Sequence, residues 1–285
     1  MQLEFRGRRV VRDRALVMAI VNRTPDSFYD RGATFSDDKA LATVDRVVRE
    51  GADIIDIGGV KAGPGADVDE EIRRVVPFVE EIRRRHPDLV ISVDTWRNEV
   101  GRLACEAGAD LINDTWAGAD PKLAEVAAEF GAGYVCSHTG GAIPRTRPFR
   151  VRYENLVHEV IDETTRRAEE LVALGVPRGG ILIDPTHDFG KNTWQSLALV
   201  RHARELAATG WPVLMALSNK DFVGEALGVE LEERLDGTLA ATALAARDGA
   251  QVFRVHEVRQ TRRVLEMVAV IDGARPPARM IRGLA

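Results

Sequence analysis

The sequence predicts an α/β fold, a closed (β/α)8 barrel in a single domain, and three observations support this prediction. Eight short apolar stretches recur along the chain, and each ends on a polar or ionisable residue. Segments with helical periodicity lie between them, which is the alternation typical of parallel sheets with crossover helices. The chain has 285 residues, close to the roughly 250 residues of one such barrel.

The eight apolar stretches are predicted to be the barrel strands. Because catalytic residues in such barrels lie at the C-terminal ends of the strands, the polar endings are expected to meet at one mouth. In chain order the stretches are Ala15–Asn22, Ile54–Gly59, Leu89–Thr95, Leu111–Thr115, Gly133–His138, Ile181–Pro185, Pro212–Lys220 and Val252–His256.

The segments between the strands place apolar residues at helical spacing. In Asp37–Glu50, for example, Leu41, Val44 and Val48 share one stripe, acidic residues begin the helix and Gly51 ends it. The predicted helices are Asp37–Glu50, Glu70–Arg85, Asn98–Ala107, Pro121–Phe130, Tyr153–Leu174, Trp194–Gly210 and Leu239–Asp248.

The barrel is expected to span residues 15–273, between a short N-terminal segment (1–14) and a tail (274–285). Leu3–Val11 predicts a small hairpin that covers the bottom of the barrel, and the tail with its two prolines is expected to be loosely held. A doubly wound open sheet is the competing architecture. Eight strands at fairly even spacing favour closure, and no G-x-G-x-x-G follows the first strand.

Composition and sequence pattern argue against several classes of function. A formal net charge of −5 argues against a nucleic-acid-binding surface. No apolar run reaches the ~18 residues of a membrane span, and the N-terminal sequence has no signal-peptide core. Cys105 and Cys136 fit neither a disulfide scaffold nor a metal-binding spacing, so we expect packed thiols in a reducing cytoplasm.

The loop after the first strand, Asn22 to Phe28, reads Asn-Arg-Thr-Pro-Asp-Ser-Phe. In isolation, Pro25 followed by Asp26 and Ser27 indicates ordinary turn chemistry. At the C-terminal end of a barrel strand, where other polar endings meet, the same loop favours a part in a functional site.

Asp94, Asn113 and Asp184 come from three different strands, and all three are expected to project into the barrel mouth. Buried carboxylates need hydrogen-bond partners, and a flat heterocycle with an amino group beside a ring N–H supplies them. Lys220 would face a carbonyl or nitrogen of the same ring. The alternative is that the carboxylates cap local backbone amides, and that Asn113 with Asp114 forms a turn.

A second group of residues indicates an anion site. Arg254 and His256 alternate around Val255, so both point to the same side of the last strand. Near a helix N-terminus this pair suits a phosphate or pyrophosphate. Asn22 is a candidate ligand of a Mg²⁺ ion that bridges phosphate oxygens. The alternative is an ion pair of Arg254 with Glu257.

These motifs together resemble the dihydropteroate synthase family, in order and in spacing, from about Leu16 to Val258. The segments that carry the resemblance are NRTPDSF, DIGG…PGA, SVDT, LINDT, IDPTHDFGK, SNKDFVG and FRVHEV. The resemblance implies a TIM barrel that binds 6-hydroxymethyl-7,8-dihydropterin pyrophosphate and joins it to p-aminobenzoate in folate biosynthesis. It also implies a homodimer through outer helices.

The resemblance further implies roles for single residues. Lys220, Asp94 and Arg254 are implied in catalysis, which is dissociative in this family. Residues implied in pterin binding are Asp94, Asn113, Asp184 and Lys220, with Ser218 among the substrate-binding residues. Residues implied in holding the pyrophosphate with its Mg²⁺ are Asn22, Arg254 and His256. Residues implied in the aminobenzoate pocket are Phe28, Pro64, Phe189 and Lys220.

The chain departs from the family pattern mainly on the aminobenzoate side. Where the family has Ser-Thr-Arg after its second strand, this chain has Lys61, Ala62 and Gly63, and the Arg of the family's Ser-Arg-Lys is Asn219. In the first loop the usual Asp-Gly-Gly contains Arg31, and the usual Asp-Pro-Gly-x-Gly-Phe-Gly-Lys is Asp-Pro-Thr-His-Asp-Phe-Gly-Lys, residues 184–191. Removing one preorganised donor typically costs about 10²–10³ in rate.

Three hypotheses follow. The chain is a synthase homologue that binds a pterin with weak or absent synthase activity, or a working dihydropteroate synthase in which Arg31 or Lys61 replaces the missing groups, or a non-catalytic binding or regulatory module. A pterin-dependent methyltransferase is disfavoured because it would not need the Thr-Pro-Asp-Ser loop. His187, Asp184 and Asp188 could form a metal site, but a rigid loop with an ordinary histidine is the favoured interpretation.

Overall fold

The barrel is closed by eight parallel strands, as the sequence predicts. The structure is a computed structural model that describes residues 2–23, 37–60, 67–141 and 151–281. In hydrogen-bonded order, the strands are those that begin at Ile181, Gly133, Leu111, Val90, Ile54, Leu16, Val252 and Leu214. A parallel bridge between Ile183 and Val213 joins the first of these strands to the last and completes the circle, with Ile183 N donating to Pro212 O at 2.9 Å.

The strands of the described residues have these bounds: β1 Gln2–Phe5, β2 Arg8–Val11, β3 Leu16–Asn22, β4 Ile54–Gly58, β5 Val90–Asp94, β6 Leu111–Asp114, β7 Gly133–Ser137, β8 Ile181–Asp184, β9 Leu214–Met215 and β10 Val252–Val255. The α-helices are α1 Asp37–Arg49, α2 Val68–Arg85, α3 Asn98–Glu106, α4 Lys122–Phe130, α5 Leu156–Leu174, α6 Thr193–Arg201, α7 Ala203–Ala208, α8 Asp221–Leu227, α9 Leu235–Arg247 and α10 Val258–Ile271.

Several helix ends follow local rules of capping. Asp67 accepts the N–H of Glu70 at the start of α2, and Asn192 with Gln195 forms a capping box at the start of α6. At the other end, α5 stops at Gly175, whose φ of 104° is a left-handed conformation that glycine adopts without a side-chain clash.

The seventh barrel strand is much shorter than predicted, because the chain turns before it reaches Lys220. β9 covers only Leu214–Met215. Lys220 N donates to Leu217 O, and Asn219 has a φ of 57°, so a tight turn lies where the sequence predicted strand. Lys220 is consequently the residue that precedes α8 rather than the end of a strand.

The helix predictions also need correction. The segment predicted as one helix from Trp194 to Gly210 is broken at His202 into α6 and α7. Two helices were missed, α8, whose seven residues are too few to show a period, and α10. The inward face of α10 includes Thr261 and the buried Arg262, and these polar residues hide its apolar stripe.

The N-terminal hairpin of β1 and β2 covers the bottom of the barrel. Its two-residue turn, Arg6–Gly7, has positive φ at both positions, which is the geometry that matches strand twist. Its buried residues pack in one cluster with the first residues of the barrel strands; the cluster is Leu3, Phe5, Val10, Leu16, Met18, Ile54, Val90, Leu111, Val135, Leu182, Leu214 and Val252. The predicted hairpin is confirmed.

A second, larger apolar cluster lies between the outer faces of the strands and the helices. The start of the tail is held more firmly than expected, since Arg275 pairs with Asp13 at 3.7 Å and with Glu266 at 3.5 Å. Within the described part of the chain, no helix has both the length and the hydrophobicity needed to span a membrane.

Adding one methyl group at Gly133 is expected to destabilise the fold. A Cβ there would lie 2.5 Å from Phe5 Cδ1 and 2.6 Å from the carbonyl oxygen of Gly180, so β7 and the N-terminal hairpin cannot both keep their positions. We expect Gly133→Ala to lower the free energy of unfolding by about 1–3 kcal/mol, measured by urea denaturation. Gly179→Ala is the matched control, because its Cβ would meet Glu4 Cβ at an ordinary 3.5 Å.

Candidate active site

The upper half of the barrel interior is polar, in contrast to the apolar lower half. Alternation along each strand sets this pattern. On β4, Ile54 packs in the lower apolar cluster while Ile55 and Ile57 pack outward against the helices. Asp56 is therefore directed inward, one step above Ile54. On β10, Arg254 stands in the same relation to Val252.

Arg254 is the centre of this polar layer. Its Nε donates to Asp56 Oδ2 at 2.6 Å and one terminal nitrogen donates to Asp94 Oδ2 at 2.7 Å. The guanidinium thus joins two carboxylates from two adjacent strands. The alternative that Arg254 pairs with Glu257 is not what these contacts show. Arg254 was predicted as part of an anion site with His256. The structure also makes it a partner of the buried carboxylates Asp56 and Asp94.

Asp56 is a site residue that sequence analysis missed. It is completely buried and accepts hydrogen bonds from Ser92 Oγ at 2.6 Å and Asn113 Nδ2 at 3.1 Å, besides that from Arg254. A signal was available in the sequence, since a charged residue inside the run Ile-Ile-Asp-Ile-Gly-Gly is costly without partners. Asp56 lies in the middle of its strand, whereas the carboxylates predicted for the site lie at or near the ends of theirs.

Asp94 and Asn113 lie in this network, as predicted. Besides Arg254, the carboxylate of Asp94 accepts a hydrogen bond from Thr115 Oγ1 at 3.1 Å. Burial raises the pKa of Asp94 to about 7, and the positive charge of Arg254 opposes that shift. This carboxyl group can therefore exchange a proton near neutral pH, and both of its oxygens have partners in the protein.

Asp184 lies at the end of β8, on the opposite side of the layer. Its Oδ1 accepts the N–H of Thr186 at 2.7 Å. Burial raises the pKa of Asp184 to about 6, opposed by this hydrogen bond and by Lys220. The backbone cap that was the alternative interpretation of Asp184 does exist, but it uses only one oxygen, and the charge of Lys220 acts on the same carboxylate.

The loop after β8 is fixed by Lys191, a second residue that the sequence analysis did not assign. Its ammonium donates to the carbonyl oxygens of His138 at 2.7 Å, Phe189 at 2.9 Å and Thr186 at 3.2 Å. Burial lowers its pKa to about 7. These bonds join the ends of β7 and β8 and hold the loop that carries Phe189, so Lys191 has a structural part in the site.

Lys220 reaches the mouth from the start of α8. Its Nζ lies 4.8 Å from the centre of the Phe189 ring, which brings together two residues of the predicted set. Burial lowers the pKa of Lys220. The position relative to the strand was wrong in the sequence prediction, but the convergence of Lys220 with Phe189 and Asp184 is the predicted one.

An aromatic row that the sequence did not reveal continues from Phe189. Trp116 meets Phe189 edge to face at 5.6 Å between ring centres, and Trp96 meets Trp116 at 6.3 Å. The backbone N–H of Trp116 donates to Asp114 Oδ1 at 3.0 Å, which fixes the main chain at this position. Trp96 and Trp116 are each the second residue after the polar end of a strand, β5 and β6 respectively, but single tryptophans in loops carry no sequence pattern.

Ser218 and His256, two further residues of the predicted set, contact each other. Ser218 Oγ lies 3.1 Å from His256 Nδ1 and accepts the N–H of His256 at 3.2 Å. Burial, together with the charges of Arg254 and Lys220, lowers the pKa of His256 to about 3. The imidazole is therefore neutral at physiological pH, so it offers an anion a hydrogen bond rather than a positive charge.

Asn22 ends β3 in register with Gly58 of β4. A Cβ built on Gly58 would lie 3.4 Å from Asn22 Oδ1 and 3.9 Å from Asp94 Cβ. Glycine thus keeps a side chain away from the amide oxygen at this point of the mouth. Phe28 and Pro64, the other predicted members, lie outside the described residues, as do Arg31 and residues 61–63.

The interpretation of His187 as an ordinary loop residue fits the structure better than a metal site. Within the described ranges, no three His, Cys, Asp or Glu side chains lie close enough together to hold a metal ion. His187 is completely buried and its ring packs 5.6 Å from that of Phe222. Neither ring nitrogen has a hydrogen-bond partner among the described residues.

Burial of His187 is expected to make the fold sensitive to acid. Burial holds the pKa of His187 well below its ordinary value, so the unfolded chain gains a proton near pH 6.5 that the folded protein does not bind. The free energy of unfolding contributed by this residue therefore falls as the pH falls through about 6.5. Relative to the wild type, His187→Leu should gain stability on acidification, by at most about 1.4 kcal/mol per pH unit.

The measurement is urea unfolding of wild type and variant at several values between pH 8 and pH 5. Leu199→Ala, at a buried position of α6 that carries no titrating group, serves as control and should differ from the wild type by the same amount at every pH. A constant difference for His187→Leu would contradict the assignment.

The pterin-binding enzyme family matches residues 18–256 of this sequence. The chain belongs to this family. Its relatives include an inactive dihydropteroate synthase 2 of Mycobacterium leprae (strain TN), 68% identical over 100% of both chains. The dihydropteroate synthase of Bacillus subtilis (strain 168) is 39% identical, over 90% of this chain and 88% of that protein.

The fold comparison agrees with this membership. The structure of Yersinia pestis dihydropteroate synthase with a sulfonamide drug superimposes with a TM-score of 0.89 at 36% identity, covering 96% of this chain and 100% of that chain. The barrel is thus that of the pterin-binding enzymes, and the chain is a dihydropteroate synthase homologue.

Proposed function

We propose that this pterin-binding enzyme homologue binds a pterin of the 6-hydroxymethyl-7,8-dihydropterin pyrophosphate type and has lost most or all synthase activity. One observation carries the binding part: two carboxylates with raised pKa, Asp94 and Asp184, face the same polar layer as Arg254 and Lys220. A flat ring with an amino group beside a ring N–H matches two buried acceptors. Asn113 is a further polar group of that layer.

The loss of activity is supported by two kinds of observation. A relative of 68% identity is an inactive synthase, and this chain lacks cationic and hydroxyl groups at family positions. Asn219, where the family has arginine, is almost fully buried. Its backbone is held by Thr238 Oγ1, which accepts its N–H, and by Arg234, which donates to its carbonyl oxygen. This side chain cannot replace the preorganised positive charge of a guanidinium.

The pyrophosphate would be held by Arg254, Asn22 and the neutral His256, with Mg²⁺ as the cofactor. A single amide oxygen at Asn22 fits Mg²⁺, which takes oxygen ligands and retains substrate phosphates and water in its shell. When bound, the ion would neutralise charge on the leaving pyrophosphate. On the aminobenzoate side the proposal keeps Phe189 and Lys220, which are in contact, together with Phe28 and Pro64.

Two further parts of the proposal concern the whole molecule. A homodimer is supported by exposed apolar side chains on the neighbouring helices α6, α9 and α10, namely Trp194, Leu244, Met267 and Ile271; sedimentation equilibrium tests it. A cytoplasmic location is supported by the two cysteines, both of which are free and buried.

Tryptophan fluorescence tests pterin binding directly. Trp116, in contact with Phe189, and Trp96, in contact with Trp116, line one side of the proposed site, and Trp194 is 80% exposed on α6. The pterin pyrophosphate should quench the wild type saturably. Trp116→Phe should lose much of this quenching while Trp194→Phe keeps it. Absence of saturable quenching, with no heat of binding in calorimetry, would reject the proposal.

A further inference from the structure

The backbone at Asp188 has a conformation that favours glycine. Its φ is 68°, in the left-handed region that L-residues seldom adopt. The family pattern has glycine at this position of the loop after β8, whereas this chain has an aspartate. Aspartate is among the few residues that tolerate the conformation, so the chain has placed a carboxylate where the backbone alone does not require one.

The carboxylate of Asp188 links three elements. Its Oδ2 accepts the N–H of Asp221, the first residue of α8, at 2.7 Å. Its Oδ1 accepts a hydrogen bond from Ser196 Oγ of α6 at 3.2 Å, and Ser196 Oγ in turn accepts the N–H of Asp188 at 3.1 Å. The loop after β8 is thereby joined to both helices, directly beside Lys220.

Asp188 also acts on the charge of Lys220. Among the charged groups around Lys220, Asp188 is the one that most favours its ammonium form. The other groups that act on Lys220 come from the surrounding elements: Asp184 and Asp221, which favour the ammonium, and Arg254, which opposes it. Lys191, His187 and His256 also feel the charge of Lys220.

We propose that Asp188 is a specificity-determining residue, whose carboxylate offsets the positive charge of Lys220 and weakens binding of an anionic aromatic ring beside Phe189. The ligand side of this inference rests on the proposed function, because it assumes that the Phe189–Lys220 pair faces the second substrate. A carboxylate-bearing arene approaching Lys220 meets the field of Asp188 as well, and like charges disfavour one another. A neutral arene is not affected in this way.

The first test measures Lys220 in the protein without ligand. The chain has five lysines, so ¹³Cε-lysine labelling gives a readable spectrum, and Lys220→Met assigns the signal. Asp188→Asn keeps an acceptor for the Asp221 N–H and tolerates the left-handed backbone, but it removes the charge. We expect the pKa of Lys220 to fall by about one unit, with the thermal midpoint nearly unchanged.

Asp120→Asn is the matched control. Asp120 also accepts the N–H of the first residue of a helix, Asn98 of α3, at 3.0 Å, but the cation that acts on it is Lys122. This variant should leave the titration of Lys220 as in the wild type. If Asp188 only capped α8, Asp188→Asn would likewise leave the titration of Lys220 as in the wild type.

The second test compares 4-aminobenzoate with 4-aminobenzamide by calorimetry, with 6-hydroxymethyl-7,8-dihydropterin and pyrophosphate present. Asp188→Asn should bind the carboxylate about fivefold or more tightly than the wild type does, with the amide unchanged. The inference is overturned if Asp188→Asn leaves the pKa of Lys220 unchanged. It is also overturned if that pKa shifts but the affinities for 4-aminobenzoate and 4-aminobenzamide change equally, or if no variant binds either compound. Failure of the pterin itself to bind would reject the proposed function, while the Lys220 titration still decides the electrostatic role of Asp188.

Discussion

Replacing Arg254 with methionine is expected to lower the free energy of unfolding by about 3–5 kcal/mol, the usual consequence of removing one member of a buried ion pair. Methionine fills similar volume but leaves Asp56 without one of its three donors and Asp94 without its nearest cation. The effect should depend on pH. Without Arg254 the pKa of Asp94, already about 7, rises further, so the folded state binds a proton more readily than the unfolded chain.

The loss of stability should therefore be larger at pH 8.5 than at pH 6, because protonation of Asp94 relieves the unpaired charge. Urea denaturation at both values measures it. Arg204→Met is the control, since Arg204 makes a 2.8 Å ion pair with Asp248 at the exposed surface, and it should cost less than about 1 kcal/mol. Equal small losses for both variants would contradict the central position of Arg254.

Asp184→Asn is expected to weaken pterin binding by about 1.5–3 kcal/mol, the range for a hydrogen bond to a charged group, which is about 10- to 150-fold in Kd. Asparagine keeps an oxygen for the N–H of Thr186, so the loop should hold its shape. It removes the anionic acceptor that the ring amino group and ring N–H would share. The wild type should also lose affinity as the pH falls through about 6, where Asp184 takes up its proton.

Calorimetry with the pterin pyrophosphate, between pH 5.5 and 8, measures both effects, and the variant should lack the loss of affinity centred near pH 6. Asp120→Asn is the control. Asp120 lies in the loop between β6 and α4, on the same face of the barrel, and this variant should bind the pterin pyrophosphate like the wild type. Unchanged affinity in Asp184→Asn would mean that the ring does not contact this carboxylate.

The fold was largely predictable because parallel strands and amphipathic helices leave periodic traces. The seventh strand was not predictable to its end, because Pro212 to Lys220 is apolar enough to be a strand. The turn at Asn219 depends on Thr238, whose hydroxyl accepts the Asn219 N–H, and on Arg234, which donates to the Asn219 carbonyl oxygen. These partners lie elsewhere in the chain. A local sequence pattern carries no information about them.

The site was predictable where a residue ends a strand and less so elsewhere. The inward direction of Asp94, Asn113 and Asp184 follows from the alternation of side chains along each strand and from their positions near the strand ends. Asp56 needed the argument that a charge inside an apolar strand must have a partner, and Arg254 supplies it from a strand that is distant in the sequence. The main chain at Trp116 is held by Asp114, and the ammonium of Lys191 is held by three carbonyl oxygens. No characteristic sequence spacing marks either set of contacts.

The two halves of the site have diverged to different degrees. The polar layer that would read the pterin ring is connected, buried and charged on both sides. The residues that would organise the arylamine and the departing anion have changed identity at positions 61–63 and 219. Since stabilisation of the leaving group and positioning of the amine supply the catalysis, binding without turnover is the expected result.

Calorimetric titration and a synthesis assay on the same preparation test this account most directly. With Mg²⁺ present, the protein should bind the pterin pyrophosphate at one site per chain. With p-aminobenzoate added, it should form dihydropteroate at least about 10³-fold more slowly than an active synthase measured alongside. Dihydropteroate formation at the rate of the active enzyme, or no heat of binding for the pterin pyrophosphate, would contradict it.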